Sequence, residues 1–148
     1  RASDDIYFVG ANGIILHFGP DGLSQLSTSF GEDIVSLWGD QNHVYAVGGR
    51  TRGVIVKLTN ATAEVEFVPQ VSGLNGIWLH NRHGFAVGHR GFVVDFPLEA
   101  LSNYQIAQPT NILLHGITGT SGGTLFAAGG TLDLPIPWQP VVVMSDTL

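Results

Sequence analysis

The 148-residue sequence has no cysteine, one methionine and six lysine and arginine residues in all. Without cysteine there is no disulfide, no thiolate metal site and no cysteine nucleophile. Twelve acidic residues against six basic ones leave a formal net charge of −6. A phosphate backbone needs a basic face, so nucleic acid is not an expected partner. No apolar run approaches the ~18 residues of a membrane span, and membrane insertion is not expected. No basic segment leads into an apolar stretch, so no signal peptide is visible; a mature secreted protein would already have lost one. Between the strand-like segments no amphipathic helix of useful length fits, and Pro97–Asn103 has room for one helical turn at most.

What is present is glycine, at 20 residues, and hydrophobic side chains, at 44%. With charged residues at only 12%, such a composition suits short strands joined by tight turns. One phrase returns four times: Asp5-Ile-Tyr-Phe-Val-Gly10, His43-Val-Tyr-Ala-Val-Gly48, Gly84-Phe-Ala-Val-Gly88 and Thr124-Leu-Phe-Ala-Ala-Gly129. Its closing glycines are 38, 40 and 41 residues apart. A second phrase precedes it and carries Trp38, Trp78 and Thr118 at a spacing of 40. A third follows it, at Gly13–Phe18, Gly53–Leu58, Gly91–Phe96 and Pro140–Met144. Each reads as a strand: A with the tryptophan, B ending in Val-Gly, and C opening on glycine. A weaker strand D follows at Leu23–Thr28, Glu64–Val68 and Asn103–Ala107.

Four short antiparallel strands per ~40 residues is the period of a β-propeller blade. A single such sheet cannot bury both faces, whereas stacked sheets can. The expected fold is therefore all-β, with blade repeats at about 1–30, 31–70, 71–110 and 111–148. The first blade lacks its inner strand A and the last its outer strand D, which makes about three and a half blades. Three closures follow: a fragment or cleavage product of a propeller of six to eight blades, two chains completing one ring, or a small irregular four-bladed ring. The first two call for a second propeller segment or a homo-oligomer.

The run Trp38-Gly-Asp-Gln-Asn-His-Val-Tyr-Ala-Val-Gly48, followed by Gly53-Val-Ile-Val56, resembles the repeats of photosystem II assembly-factor-like propellers. Those are related to the Asp-box (BNR-type) repeats of sialidases. The Asp-box itself is absent; Gly19-Pro-Asp-Gly22 is a degenerate trace of it. The resemblance covers nearly the whole chain and implies a bacterial protein, secreted or at the cell surface or periplasm, with the cytoplasm left open.

For a binding face, the B–C loops offer Arg50, Arg52, His89 and Arg90. Guanidinium groups there would suit a carboxylate, a sulfate or an acidic sugar. Glu32 and Asp33, in a D–A loop on the same face, are positioned to pair with the arginines instead. Trp138, outside the repeat and in a Pro-rich insertion, is an aromatic contact for a glycan or protein partner. His80 and His83 lack a third ligand, so no metal site is expected. Trp38 and Trp78 read as core residues. His17 and His115 read as packed, and Asp95 as an outward-facing residue. No nucleophile elbow or recurring carboxylate pair assigns a catalytic residue, and no cofactor is implied. The preferred function is a non-catalytic binding or assembly module. The alternatives are part of a propeller glycan hydrolase or lyase completed by other blades, or a structural surface or filament subunit.

Overall fold

The computed structural model describes residues 5–131 and 138–146. Leu134–Pro137 of the Pro-rich insertion lie outside them. The described chain is all-β and made of propeller blades: four antiparallel sheets in which each strand pairs with its neighbours in sequence. The first sheet holds β1 (Ile6–Val9), β2 (Ile15–Gly19) and β3 (Gly22–Leu26). The second holds β4 (Ile34–Gly39), β5 (Val44–Gly48), β6 (Gly53–Leu58) and β7 (Ala63–Val68). The third runs through β8 (Leu74–His80), β9 (His83–Gly88), β10 (Val93–Pro97) and β11 (Gln105–Ala107). The fourth has β12 (Leu114–Gly119), β13 (Leu125–Gly130) and β14 (Pro140–Ser145). The expected D strands form, but the third is shorter, because Leu101–Asn103 is a 3-10 turn.

The chain divides into two compact units, one ending at Gly73 and the other beginning at Leu74, each of two sheets. Alternation gives every sheet two faces. The face that the first sheet of a unit turns toward the second is called forward, the opposite face rear, and the same repeat positions carry these names in every sheet. In unit 1 the forward face of the first sheet (Tyr7, Ile15) and the rear face of the second (Val44, Ala46, Val54, Val56) share one core with Leu26 and Phe30. Val65 and Phe67 of β7 pack against that core, and Phe67 meets Phe30 edge to face at 6.3 Å. In unit 2 the matching interface is split into two clusters, Trp78–Phe85–Leu125 and Val87–Leu114–Ala127.

Glycine sets the approach distances at two kinds of place. The compact B–C turns put Asn12 and Gly13, and Arg90 and Gly91, at φ of 54° to 73°. A Cβ on Gly91 would sit 2.2 Å from the Thr110 carbonyl oxygen, so only glycine fits. In unit 2 a Cβ on Gly119 would lie 2.4 Å from the Trp78 ring, which occupies the space the glycine leaves. Trp78 is accordingly only 8% exposed. Trp38, at the same repeat position, is 45% exposed and is not the core residue the repeat leads one to expect. Trp78 is buried because the fourth sheet leaves it that slot.

Candidate functional site

The arginines of the second sheet's B–C loop are tied to its own unit. The Arg50 side chain pairs with Asp33, and its backbone N–H donates to Glu32 at 2.7 Å. The Thr51 hydroxyl donates to the same carboxylate at 2.8 Å. Arg52 reaches Glu32 at 3.6 Å and lies 3.6 Å over the Phe67 ring. Asp33 also accepts the Asn12 N–H at 2.9 Å. Backbone and hydroxyl donors from Arg50 and Thr51 hold the Glu32 carboxyl below its usual range; the Asn12 N–H, then Arg50, does the same for Asp33. The loop is thus a staple between two connections of one unit, and its charges are matched.

In unit 2 the corresponding loop differs. Arg90 takes the left-handed conformation at φ 56°, where the first sheet has Asn12 at 54°. Asn tolerates that region better than Arg. The Arg90 carbonyl accepts from Gln108 at 2.9 Å, and among the described residues its guanidinium has no ion-pair partner. His89 is half-buried beside it, and Trp138 is exposed.

A second constellation recurs at the opposite end of strands B and C. In unit 1, His17 Nε2 lies 2.8 Å from Asp5 Oδ1 and its ring stacks on Tyr7 at 4.4 Å. The Tyr7 hydroxyl donates to the Asn60 side-chain oxygen at 3.1 Å. In unit 2, His83 Nδ1 lies 2.6 Å from Asp95 Oδ1. Asp5 and His83 occupy one repeat position, and His17 and Asp95 the other. Acid and imidazole have exchanged strands while the pair is kept, a signal visible in the aligned repeats that sequence reasoning missed. His17 is buried, while His83 and Asp95 are both half-exposed. Asp95 therefore does not simply face outward. His80 stacks on Trp78 at 5.1 Å, and His80, His83 and Asp95 border a shallow pocket. Among the described residues no group of three or more His, Asp or Glu side chains is placed to hold a metal.

The sheet faces are the third feature. Ile6, Phe8, Leu16, Phe18 and Leu23 line an apolar depression on the rear face of the first sheet. On the forward face of the fourth, Val142 is 71% exposed and Met144 is also exposed.

No protein-family model matches the sequence, and a comparison with the curated proteins finds no match. Among solved structures the chain is similar to the β-propeller domain of Cps50 (Swd1) from Myceliophteria thermophila, with a TM-score of 0.46 and 12% identity over 96% of this chain and 68% of that one. The class is defined by the chain's own blades: an all-β, β-propeller repeat protein.

Proposed function

We propose that the chain is a non-catalytic binding and assembly module that stacks its uncovered blade faces on further blades of the same kind. The supporting observation is the pair of exposed apolar faces. Ile6, Phe8, Leu16 and Phe18 hold the repeat positions that Val44, Ala46, Val56 and Leu58 hold on a sealed rear face. Val142 and Met144 hold the positions of Ile15 and His17 on a sealed forward face. One is a rear face and the other a forward face, so a second copy can join head to tail in a heterologous contact. Apolar patches of this kind on a soluble chain mark interaction surfaces. The resemblance to assembly-factor-like repeats agrees with this reading. Light scattering over a concentration series tests it: multiples of 15.8 kDa are expected, and Phe8→Asp should return the protein to monomer. A wild-type monomer at every concentration would contradict self-assembly.

A second reading rests on Arg90, strained in the left-handed region with its guanidinium unmatched. It assigns the unit 2 loop, with His89 and Trp138, to an acidic glycan or other carboxylate ligand. Arg90→Ala and Trp138→Ala should each weaken capture on an acidic-glycan array at least tenfold. Equal capture by both variants and the wild type would remove it.

A further inference from the structure

The connection between β6 and β7 in unit 1, residues 59–62, reads Thr-Asn-Ala-Thr. Its turn is organised by threonine. The Thr59 N–H donates to the Thr62 carbonyl at 2.9 Å, and the two hydroxyls lie 2.8 Å apart. The Thr62 N–H donates to the Thr59 hydroxyl at 3.0 Å, and the Ala61 N–H at 3.4 Å. An asparagine in a turn ordinarily caps its own backbone with its side chain. Asn60 instead reaches across to the first sheet, where its side-chain oxygen accepts the Tyr7 hydroxyl at 3.1 Å. Among the described residues Asn60 Nδ2 has no hydrogen-bond partner. Asn60, Ala61 and Thr62 are all exposed. The amide is therefore held by its oxygen, with its nitrogen unengaged. The fold does not require these residues at the turn: the first sheet closes the same connection, between β2 and β3, with Pro20 and Asp21 between Gly19 and Gly22.

We propose that Asn60 is an N-glycosylation site, carrying an oligosaccharide added as the chain passes through a compartment that holds a lipid-linked donor and its transferase. The sequence condition is an asparagine, any residue but proline, then serine or threonine. Of the seven asparagines only Asn60 meets it, with Ala61 and Thr62. In the transfer, Asn60 Nδ2 bonds to C1 of the first sugar, and the bond from C1 to the donor's pyrophosphate breaks. The lipid pyrophosphate leaves, and Nδ2 gives up one of its two protons. The product is still an amide, so its oxygen can still accept from Tyr7. The glycan adds bulk to an exposed turn and removes no hydrogen bond that the structure records. A glycan is large and hydrated and needs a surface position. Asn60 has one, in a turn whose flanking strands β6 and β7 are paired along their length. Nothing here rests on the stacking of uncovered faces: Tyr7 belongs to the forward face of the first sheet, and the depression around Phe8 to its rear face.

Mass spectrometry reads the modification directly. Protein isolated from its own cells should yield a tryptic peptide, residues 58–82, with a sugar on Asn60 in most molecules. Peptide N-glycosidase should release that sugar and leave an aspartate at the position. Translation with endoplasmic-reticulum microsomes measures acceptor competence apart from folding and export. There the full chain, behind a cleavable signal sequence, should become protease-protected and gain the mass of one glycan. Thr62→Ser should gain it too, whereas Asn60→Gln and Thr62→Ala should gain none. Phe8→Asp, which removes stacking, should be glycosylated as fully as the wild type. Glycosylated and unmodified protein should melt at the same temperature, because the Tyr7 bond is kept. Several results would overturn the proposal. One is an unmodified Asn60 in the protein from its own cells. Another is a protected wild-type chain without the glycan, or a mass gain that persists in Asn60→Gln. A glycosylated protein that melts well below the unmodified one would contradict the geometry that makes Nδ2 available.

Discussion

The two units repeat one design, and they differ in how closely the two sheets of each are packed. Each packs a forward face against a rear face. In unit 1 the interface ends in a fourth strand, with Leu26 and Phe30 opposite Val65 and Phe67, and it is sealed. In unit 2 the described residues Ala107 and Pro109 face Val143 and Ser145 across a groove of about 330 Å³. The difference carries down to the polar pair at its edge: His17 and Asp5 are closed in under Tyr7, while Asp95 and His83 border solvent. Equivalent substitutions should therefore have unequal effects, and that inequality is the comparison's content.

The largest contrast lies at the shared position held by Val56 and Val143. Val56→Asp puts a carboxylate in a fully buried site, and urea unfolding should show a loss of about 4 kcal/mol or more. Val143→Asp, at the rim of the groove, should cost about 1 kcal/mol, since the carboxylate can stay hydrated. Equal losses would mean that the groove is closed in solution. Next comes the pair Leu26 and Ala107. Leu26→Ala should cost about 2–4 kcal/mol through the cavity it leaves. Ala107→Leu should be neutral or stabilise by about 0.5–1 kcal/mol, because there is space to fill.

Smaller still is the histidine contrast. His17→Ala removes a buried, stacked and hydrogen-bonded ring, and about 2 kcal/mol should be lost. His83→Ala breaks a pair open to water, and the loss should stay below about 1 kcal/mol. The least effect concerns pH. Glu32 and Asp33 have folded-state pKa values below the ordinary 4.5 and 3.8. Their staple is thus at full strength above those values and is lost as pH falls through the lower, folded ones. The protection of the Arg50 and Thr51 amides, with the intrinsic pH dependence of exchange taken out, should fall as pH drops below the ordinary carboxylate range, ahead of the strands on either side. Protection there that is the same above and below that range would show that the staple contributes nothing.

The architecture was largely legible in the sequence. A repeat written in glycine spacing and β-branched runs states its strands locally, so strands B and C, and the four sheets of three or four strands among the described residues, could be read directly. The arginine loop was half legible: Glu32 and Asp33 were in range of Arg50 and Arg52, but only the packed loop decides that they pair. Trp38 and Trp78 show the limit. Their letters and spacing agree, yet the burial of Trp78 depends on Gly119, a residue in another sheet. The groove was beyond reach for the same reason. It arises from Ala107 and Val143, small side chains that mean little until two sheets are face to face. The Asp5–His17 and His83–Asp95 exchange was within reach, and comparing the same two positions across repeats would have found it.

The most direct test of the account compares how a soluble paramagnetic reagent relaxes the methyl groups of Val56 and Val143. Val56 is fully buried, and its methyls should be shielded. Val143 lines the groove, and its methyls should relax markedly faster. Equal shielding at the two positions would mean that the interface of unit 2 is packed as closely as that of unit 1, and would contradict the central claim.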